Sequence, residues 1–288
     1  MHPPGETFSD ARPPRQSADG TLARILPAGR PAVMGILNVT PDSFSDGGRF
    51  FDPRRALDHA AQMAGEGADI IDVGAESSRP YGGAVPVSFA EEMRRLEPVL
   101  PAVVALGVPV SIDTMKAKVA AWALSGGAAI VNDVWGLQRD PDMASVVAEH
   151  RAPVIIMHNR DVVDPALDIM ADIIGFFGRS LAIARRAGVA RNCIVVDPGI
   201  GFGKTAEQSL AVLSRLRELA PLGLPLLIGA SRKRFIDKVS PSAPDHRLGG
   251  SLAAHLVAAQ AGAAIIRVHD VAETVQALKV AAAIRATR

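Results

Sequence analysis

The stretch Met34–Gly48, MGILNVTPDSFSDGG, begins as an apolar strand and changes at Asn38 into a run of polar and turn-forming residues. A polar loop that leaves the end of a buried parallel strand is the usual place for ligands in α/β enzymes, because a rigid scaffold holds adaptable side chains there. The proline and glycines of this stretch would also suit an ordinary surface turn. The polar run to Arg49 is longer than most strand-to-helix connections, which favours a functional loop.

Seven more apolar runs follow the first one, and helical patterns separate them. The eight predicted strands are Ala32–Val39, Asp69–Gly74, Pro109–Asp113, Ile130–Asp133, Pro153–His158, Cys193–Asp197, Leu226–Ala230 and Ile265–His269. Near-continuous hydrophobicity is typical of parallel strands covered by helices on both faces. Eight strand-helix units over about 250 residues predict an α/β fold with a single closed (β/α)8 TIM barrel, here residues 32–288. The alternative is an open doubly wound sheet, which would normally carry a glycine-rich dinucleotide fingerprint after its first strand.

The predicted helices carry recognisable capping signals. Asp52-Pro53, Asp140-Pro141 and Asp164-Pro165 each offer an N-cap carboxylate followed by proline at the first helical position. Ser88 with Glu91, and Thr205 with Gln208, match the capping box.

Composition restricts the classes of partner. The chain has 288 residues with a net charge of +1, so we expect small-molecule substrates and no nucleic acid or membrane surface. The single cysteine excludes an internal disulfide and fits a reducing cytoplasm.

Residues 1–31 contain six prolines and little apolar periodicity, and we expect them to form a flexible N-terminal tail.

Nearly every predicted strand ends in a polar or charged residue. In chain order these residues are Asn38, Asp72, Asp113, Asn132 with Asp133, His158, Asp197, Lys233 just after strand seven, and Arg267 with His269 on strand eight. Active sites of TIM barrels lie at the carboxyl ends of the strands. The ring of polar residues therefore predicts a pocket at that face.

The bases of this ring suit a phosphate-bearing ligand. Arg267, His269 and Arg79 supply forked or charged donors, and Asn38 offers a neutral oxygen to Mg²⁺. Pairing of each base with a nearby acid, such as Arg267 with Asp270, is the structural alternative.

Asp113, Asn132 and Asp197 follow apolar residues out of their strands, and buried polar groups need partners. A flat heterocycle with adjacent ring NH and amino groups would satisfy a carboxylate with two hydrogen bonds. Alternatively, these side chains cap the following helices or pair with Lys116 and Lys204.

The segment DPGIGFGK (Asp197–Lys204) only partly resembles a phosphate-binding P-loop, because Pro198 stands where that motif has its first glycine. We expect its glycines to turn the backbone tightly beside a ligand, with Phe202 covering it.

The NVTPDSFSDGG loop resembles the first loop of dihydropteroate synthases, and six further blocks match that family in order. They are IIDVGAESSRP (Ile70–Pro80), SIDTMK (Ser111–Lys116), VND (Val131–Asp133), DPGIGFGK, SRKRF (Ser231–Phe235) and RVHDV (Arg267–Val271). The resemblance implies a cytoplasmic, homodimeric transferase of folate biosynthesis that uses Mg²⁺. Such enzymes join 6-hydroxymethyl-7,8-dihydropterin pyrophosphate to 4-aminobenzoate and release pyrophosphate.

The resemblance also implies roles for individual residues. The pterin would be held by Asp113, Asn132, Met157, Asp197, Lys233 and Arg267. The pyrophosphate would be held by Asn38, Ser78, Arg79, Arg267 and His269, with Asn38 as the metal ligand. The aminobenzoate would be held by Phe44, Ser78, Arg79, Phe202 and Arg234. The catalytic set would be Asp113, Asp46, Arg79 and Lys233.

The implied chemistry is dissociative: pyrophosphate leaves first, and Asp113 stabilises the positive charge that develops on the pterin methylene. Two alternatives share the pterin floor, namely a methyltetrahydrofolate-binding methyltransferase domain and a pterin-binding barrel without catalysis. The chain departs from the family after strand five, where it reads MHNR rather than MHMQG.

Overall fold

The computed structural model describes residues 21–40, 52–76 and 87–287. The strands are β1 (Ala32–Asn38), β2 (Ile70–Gly74), β3 (Val110–Asp113), β4 (Ile130–Asp133), β5 (Val154–Met157), β6 (Ile194–Asp197), β7 (Leu227–Ile228) and β8 (Ile265–Val268). They form one sheet in the order β6-β5-β4-β3-β2-β1-β8-β7, and each ladder is parallel. Each lies within its predicted run, and most are one or two residues shorter.

The barrel closes between β6 and β7. A parallel bridge joins Val196 to Leu226, and the Val196 amide donates to the carbonyl of Pro225 at 3.0 Å. The (β/α)8 prediction is therefore confirmed, and the open doubly wound sheet is excluded.

Helices cover the outside of the barrel. The described α-helices are α1 (Thr21–Ile25), α2 (Pro53–Gly65), α3 (Phe89–Leu96), α4 (Leu100–Val104), α5 (Ala117–Ser125), α6 (Met143–His150), α7 (Ile169–Ala187), α8 (Ala206–Ser214), α9 (Arg234–Val239), α10 (Leu248–Gln260) and α11 (Val271–Ala286). Short 3-10 helices lie at Arg191–Cys193, Leu216–Leu222 and Pro244–His246. Within the described residues, no helix has the length and apolar character needed to cross a membrane.

Two of the predicted caps are confirmed in full. Asp52 caps α2 by accepting the amide of Arg54, with proline at the start of the helix. Thr205 and Gln208 form a reciprocal capping box on α8, with bonds of 2.9 and 3.0 Å. At the start of α3, Ser88 accepts the amide of Glu91 at 3.2 Å. The other half of that predicted box is replaced, because the Glu91 carboxylate binds two arginines of its own helix.

Two predicted caps were wrong. The N-cap residue of α6 is Asp142, two residues beyond the predicted Asp140. The N-cap residue of α7 is Asp168, four residues beyond the predicted Asp164. Asp140 instead accepts the amides of Ala117 and Asp142, and Asp164 accepts the amide two residues ahead of it. An aspartate before proline stabilises a turn as readily as a helix start, so the motif placed these boundaries too early.

The last part of the predicted tail belongs to the fold. Leu22 on α1 is buried in a cluster with Ala32 and Met34 at the amino-terminal end of the barrel. Arg30 donates two hydrogen bonds to the Asp69 carboxylate, at 2.6 and 3.0 Å. The expectation of a flexible segment is therefore wrong for residues 21–31, while residues 1–20 lie outside the described part of the chain.

The barrel interior is layered because strand side chains alternate with a period of two. One layer is apolar and contains Ala32, Met34, Ile70, Ile130, Ile155, Val195, Leu227 and Ile265. Two residues further along β2, β4, β6 and β8, the same face carries Asp72, Asn132, Asp197 and Arg267. The apolar layer thus forms the base on which a polar layer rests, at the carboxyl ends of the strands.

Candidate active site

The polar layer is organised around the guanidinium group of Arg267. Its Nε donates to Asp72 at 2.6 Å, and its Nη2 donates to Asp113 at 2.9 Å. The side chains of both carboxylates are at least nine-tenths buried, and that of Arg267 is 18% exposed. One arginine therefore bridges β8 to β2 and β3 across the barrel mouth, and it does not take the alternative partner Asp270 considered above.

Asn132 completes this arrangement from β4. Its amide donates to the same Oδ2 atom of Asp72 at 3.0 Å, while Oδ1 of Asp72 has no partner among the described residues. Asp72 belongs to the predicted ring of polar residues, but no ligand contact was predicted for it. The available signal was its spacing, because Asp72 follows the inward-facing Ile70 by two residues.

The shared burial of two carboxylates affects their protonation. Burial, and next to it the negative charge of Asp72, raise the pKa of Asp113, while Arg267 opposes the rise. Burial likewise raises the pKa of Asp197, against the attraction of Lys233. The floor of the pocket is thus a group of buried acids whose charge depends on cationic partners.

Lys233 approaches this floor from the loop after β7. Its Nζ donates to the carbonyl of Ile200 and lies 4.5 Å from the centre of the Phe202 ring. Burial lowers the pKa of Lys233 to about 7, and the neighbouring Asp197 carboxylate counters part of that effect. Residues of the loops after β6 and β7 therefore meet on one side of the mouth.

The backbone after β6 makes the tight turn that the sequence predicted. Gly199, Gly201 and Gly203 all have positive φ, at 65°, 83° and 55°. The amide of Gly199 donates to Asp197 Oδ1 at 2.7 Å, which folds the loop back over its own strand.

An apolar wall adjoins the polar floor. Met157 and Phe202 are buried together with Val134, and Met115 and Trp135 pack against them. This brings Met157 and Phe202, two of the predicted ligand contacts, into one cluster.

The opposite side of the mouth is formed by β1 and β8, which are neighbours in the sheet. Asn38 is the last residue of β1 and is half-buried. His269 follows β8, and its amide and Nδ1 lie 3.2 and 3.0 Å from the hydroxyl of Ser231. Arg234 is exposed as the first residue of α9.

A family model described as "Pterin binding enzyme" matches residues 34–269, which is most of the chain. The chain is also 48% identical over 248 residues to dihydropteroate synthase of Bacillus subtilis strain 168, and the match covers 86% of each protein. The chain belongs to the dihydropteroate synthase family of pterin-binding enzymes.

Solved structures of dihydropteroate synthases agree with this assignment. The enzyme from Clostridium difficile, crystallised in the presence of pteroic acid, is 49% identical with a TM-score of 0.84, and the match covers 88% of this chain and 97% of that one. The enzyme from Xanthomonas albilineans, with 4-aminobenzoic acid, is 44% identical with a TM-score of 0.84, covering 89% and 94% of the two chains.

Some residues that the resemblance to dihydropteroate synthases implies fall outside the described ranges. They are Phe44, Asp46, Ser78 and Arg79, from the segments that follow β1 and β2. The described residues include the rest of the predicted set: Asn38, Asp113, Asn132, Met157, Asp197, Phe202, Lys233, Arg234, Arg267 and His269.

The alternative considered for Asp113, Asn132 and Asp197 was pairing with Lys116 or Lys204. Neither lysine forms an ion pair with these residues. Lys116 binds Glu76 at 2.5 Å and Glu92 at 2.6 Å instead. Lys204 donates to His158 and to two carbonyl groups. Asp133, next to Asn132 at the end of β4, accepts the amides of Trp135 and Leu137 in the following turn, at 2.9 and 2.7 Å.

The MHNR segment, where the chain departs from the common dihydropteroate synthase form, lies against two neighbouring elements. His158 is fully buried, and its Nε2 lies 2.9 Å from the Asp172 carboxylate on α7. Arg160 donates to the same carboxylate at 2.8 Å, and its backbone packs directly against Gly203. This segment therefore supports the loop after β6.

Proposed function

We propose that this dihydropteroate synthase joins 6-hydroxymethyl-7,8-dihydropterin pyrophosphate to 4-aminobenzoate by a dissociative route, in the pocket floored by Asp72, Asp113, Asn132 and Arg267. The observation that carries the proposal is the bridge from Arg267 to Asp72 and Asp113. Two buried carboxylates at one arginine offer acceptors that a heterocycle with adjacent NH groups can use.

We assign pterin recognition to the polar layer and to the wall beside it. Asp113, Asn132 and Asp197 supply hydrogen-bonding groups at 7% exposure or less. Buried polar groups gain most from a ligand that matches them, because an unmatched group retains its desolvation cost. Lys233 adds a donor at the edge of the floor, and Met157 with the Arg267 side chain would lie against the ring faces.

The diphosphate belongs, in this proposal, at the side formed by β1 and β8. Arg267 and His269 supply the cationic and polar donors there, and Ser78 and Arg79 would join them from the segment after β2. Arginine suits this role because its fork can bind two phosphate oxygens at once.

Mg²⁺ is the cofactor that we propose for the same side of the pocket. The described residues contain no group of three or more His, Cys, Asp or Glu side chains that could hold a metal. Asn38 fits a Mg²⁺ ion whose other ligands are phosphate oxygens and water, because Mg²⁺ prefers hard oxygen donors and keeps few protein ligands. Bound there, the ion would neutralise charge on the leaving diphosphate.

The aminobenzoate would lie over the wall, in contact with the Phe202 ring. Arg234, exposed at the start of α9, offers a guanidinium group for the carboxylate. Phe44, Ser78 and Arg79 would complete the enclosure.

The chemical step requires stabilisation of a cation. Cleavage of the bond between the pterin methylene carbon and the pyrophosphate oxygen leaves positive charge on the methylene and ring, and ionised Asp113 lowers its energy. Preorganised charge of this kind contributes roughly 3 to 4 kcal/mol when a single group is removed in comparable sites. The neutral amine then forms the carbon-nitrogen bond and gives its proton to solvent water, with Asp46, Arg79 and Lys233 arranged around the reacting centre in this proposal.

The deciding experiment measures dihydropteroate formed from the pterin pyrophosphate and labelled 4-aminobenzoate, with Mg²⁺ and then with a chelator. We expect product that depends on Mg²⁺ and is restored when the ion is added back. Saturable pterin binding without product would overturn the proposal and favour a non-catalytic or methyltransferase-like barrel.

We also propose a cytoplasmic homodimer. The adjacent helices α8, α10 and α11 carry exposed apolar side chains, among them Leu210, Val257, Val280 and Ile284. Light scattering during gel filtration would test the dimer, and a monomer at micromolar concentration would contradict it.

A further inference from the structure

Lys204 is a buried lysine whose hydrogen bonds are all made to groups around the loop after β6. Only 4% of it is exposed. Its Nζ donates to His158 Nδ1 at 2.7 Å and to the carbonyl oxygens of Gly199 and Phe202 at 2.8 and 3.0 Å. An ammonium group has three N–H donors, so this set is complete. The two carbonyl bonds fasten both ends of the 199–202 segment to one side chain.

His158 holds Lys204 in place from β5. Because the Asp172 carboxylate can only accept, the ring proton of His158 lies on Nε2, and Nδ1 of the neutral ring accepts from Lys204. The Nε2 atom donates to Asp172 at 2.9 Å. Burial, and then the charge of Lys204, lower the pKa of His158 to about 3, so the ring stays neutral and keeps this tautomer.

The chain of bonds continues to the protein surface through Asp172. The Oδ2 atom that accepts from His158 also accepts from Arg160 at 2.8 Å, and both Asp172 and Arg160 are partly exposed. The loop after β6 is thereby anchored to the start of α7.

Three contacts link the 199–202 segment to the residues of the proposed substrate site. The amide of Gly199 donates a hydrogen bond to the Asp197 carboxylate. Between the two held carbonyls, Ile200 accepts the bond from Lys233. At the far end, the Phe202 ring lies under the Lys233 ammonium group. A shift of this segment would therefore move a floor residue, a wall residue and a lysine contact together.

We propose that Lys204, fixed by His158 and Asp172, is a positioning residue that sets the place of Phe202 and Asp197 for substrate binding. This inference rests on the proposed contact of Phe202 with aminobenzoate and of Asp197 with the pterin. Lys204 itself touches no substrate in this assignment. It acts through the loop carbonyls.

The first test replaces Lys204 by methionine, which has similar length and no donors. We expect a folded protein whose KM for 4-aminobenzoate rises about tenfold, because the loop that carries Phe202 is no longer held in its binding position. Lys279→Met, on the exposed face of α11, is the control and should leave KM unchanged. A lower melting temperature with unchanged KM would show a structural role only and would overturn the proposal.

A pair of variants at His158 separates hydrogen bonding from packing. His158→Gln keeps one acceptor and one donor, whereas His158→Phe keeps a ring and removes both. We expect the KM of His158→Gln to stay close to the wild-type value and the KM of His158→Phe to rise as it does in Lys204→Met. If Lys204→Met does not fold, this pair decides the matter, and equal KM values for the two variants would contradict the proposal.

A readout without turnover comes from Trp135, which packs against the Phe202 cluster. In a Trp122→Phe background Trp135 is the sole tryptophan, and its emission should change in Lys204→Met before any ligand is added. An unchanged spectrum would mean that the loop has not moved.

Failure of the underlying site assignment can be told apart from failure of this inference. Phe202→Ala and Asp197→Asn are measured for aminobenzoate and pterin affinity in the same assay. If neither affinity falls, the substrate assignment is wrong. If both fall while Lys204→Met behaves as wild type, the assignment stands and the positioning role is wrong.

Discussion

The carboxylate of Asp113 lies 2.9 Å from Nη2 of Arg267, although the two residues are 154 positions apart in the chain. Through its Nε, the same guanidinium group binds Asp72, so one cation serves two buried acids. A removed partner would leave an uncompensated buried charge, which is the costly way to break such a pair. For the two acids, conservative substitutions that keep shape and change charge are therefore the informative ones.

Asp113→Asn should abolish most turnover and leave the fold intact. The amide cannot carry the negative charge that stabilises the developing cation, and we expect kcat to fall by about a hundredfold or more. Steady-state kinetics with a melting curve for each variant would measure both effects.

Asp133→Asn is the matched control for that substitution, because Asp133 ends the neighbouring strand and binds only backbone amides of its own turn. It should lower stability and leave kcat per folded molecule near wild type. Near-normal kcat in Asp113→Asn would remove the role assigned to that residue.

Arg267→Ala should weaken binding of the diphosphate and also disturb the floor, because Asp72 and Asp113 would lose their shared cation. Calorimetry with inorganic pyrophosphate and Mg²⁺ should show an affinity at least about tenfold lower, which corresponds to about 1.4 kcal/mol. Arg285→Ala, in the exposed last turn of α11, is the control. Unchanged pyrophosphate affinity in Arg267→Ala would count against this site.

The positions of all eight strands could be predicted from the sequence, because each strand is a short apolar run whose composition indicates burial. The sequence indicated Asp113, Asn132 and Asp197 as polar groups in need of partners because each follows an apolar residue near the end of its strand. It could not supply the role of Asp72, whose partner Arg267 is 195 residues away. Nor could it supply the place of Lys204, whose acceptors include a histidine 46 residues earlier. Such pairings depend on how the strands meet, which local pattern does not encode.

Asp72→Asn should shift the pH dependence of pterin binding to lower pH. The Asp72 charge raises the pKa of Asp113, so its removal lets Asp113 ionise at lower pH. Pterin affinity that requires ionised Asp113 rises as pH increases through the pKa of Asp113. In Asp72→Asn this rise should therefore occur at lower pH than in wild type. Calorimetric titration with a dihydropterin at a series of pH values would measure this rise in affinity. A shift toward higher pH, or no shift, would contradict the proposed coupling.

His255 should make the barrel less stable in acid. Between α10 and α11 this side chain is 1% exposed, and its Nε2 has no partner among the described residues. Burial lowers the pKa of His255 to about 4 from the ordinary histidine value of about 6.5, so the unfolded chain takes up the proton first as pH falls. Stability is therefore fully present above about pH 6.5 and is lost as pH drops toward 4, by about 2 kcal/mol between pH 7 and pH 5.

His255→Leu removes that titration and keeps the side chain apolar. Its free energy of unfolding should fall less steeply between pH 7 and pH 5 than that of wild type, as measured by urea denaturation. Equal slopes for wild type and His255→Leu would show that His255 does not contribute to acid sensitivity.

Gly199→Ala should damage both stability and substrate binding, because two costs coincide at that position. Gly199 has a φ of 65°, and an added Cβ would overlap the carbonyl oxygen of His158. Gly188, the C-cap of α7, has a φ of 85° with no atom within 4 Å of an added Cβ. Gly188→Ala therefore isolates the backbone strain, about 1 kcal/mol. Gly199→Ala adds the steric overlap and should cost more in unfolding free energy while also raising KM for 4-aminobenzoate. If the two alanine variants proved equal in both measurements, the close packing of the β6 loop against β5 would have no energetic weight.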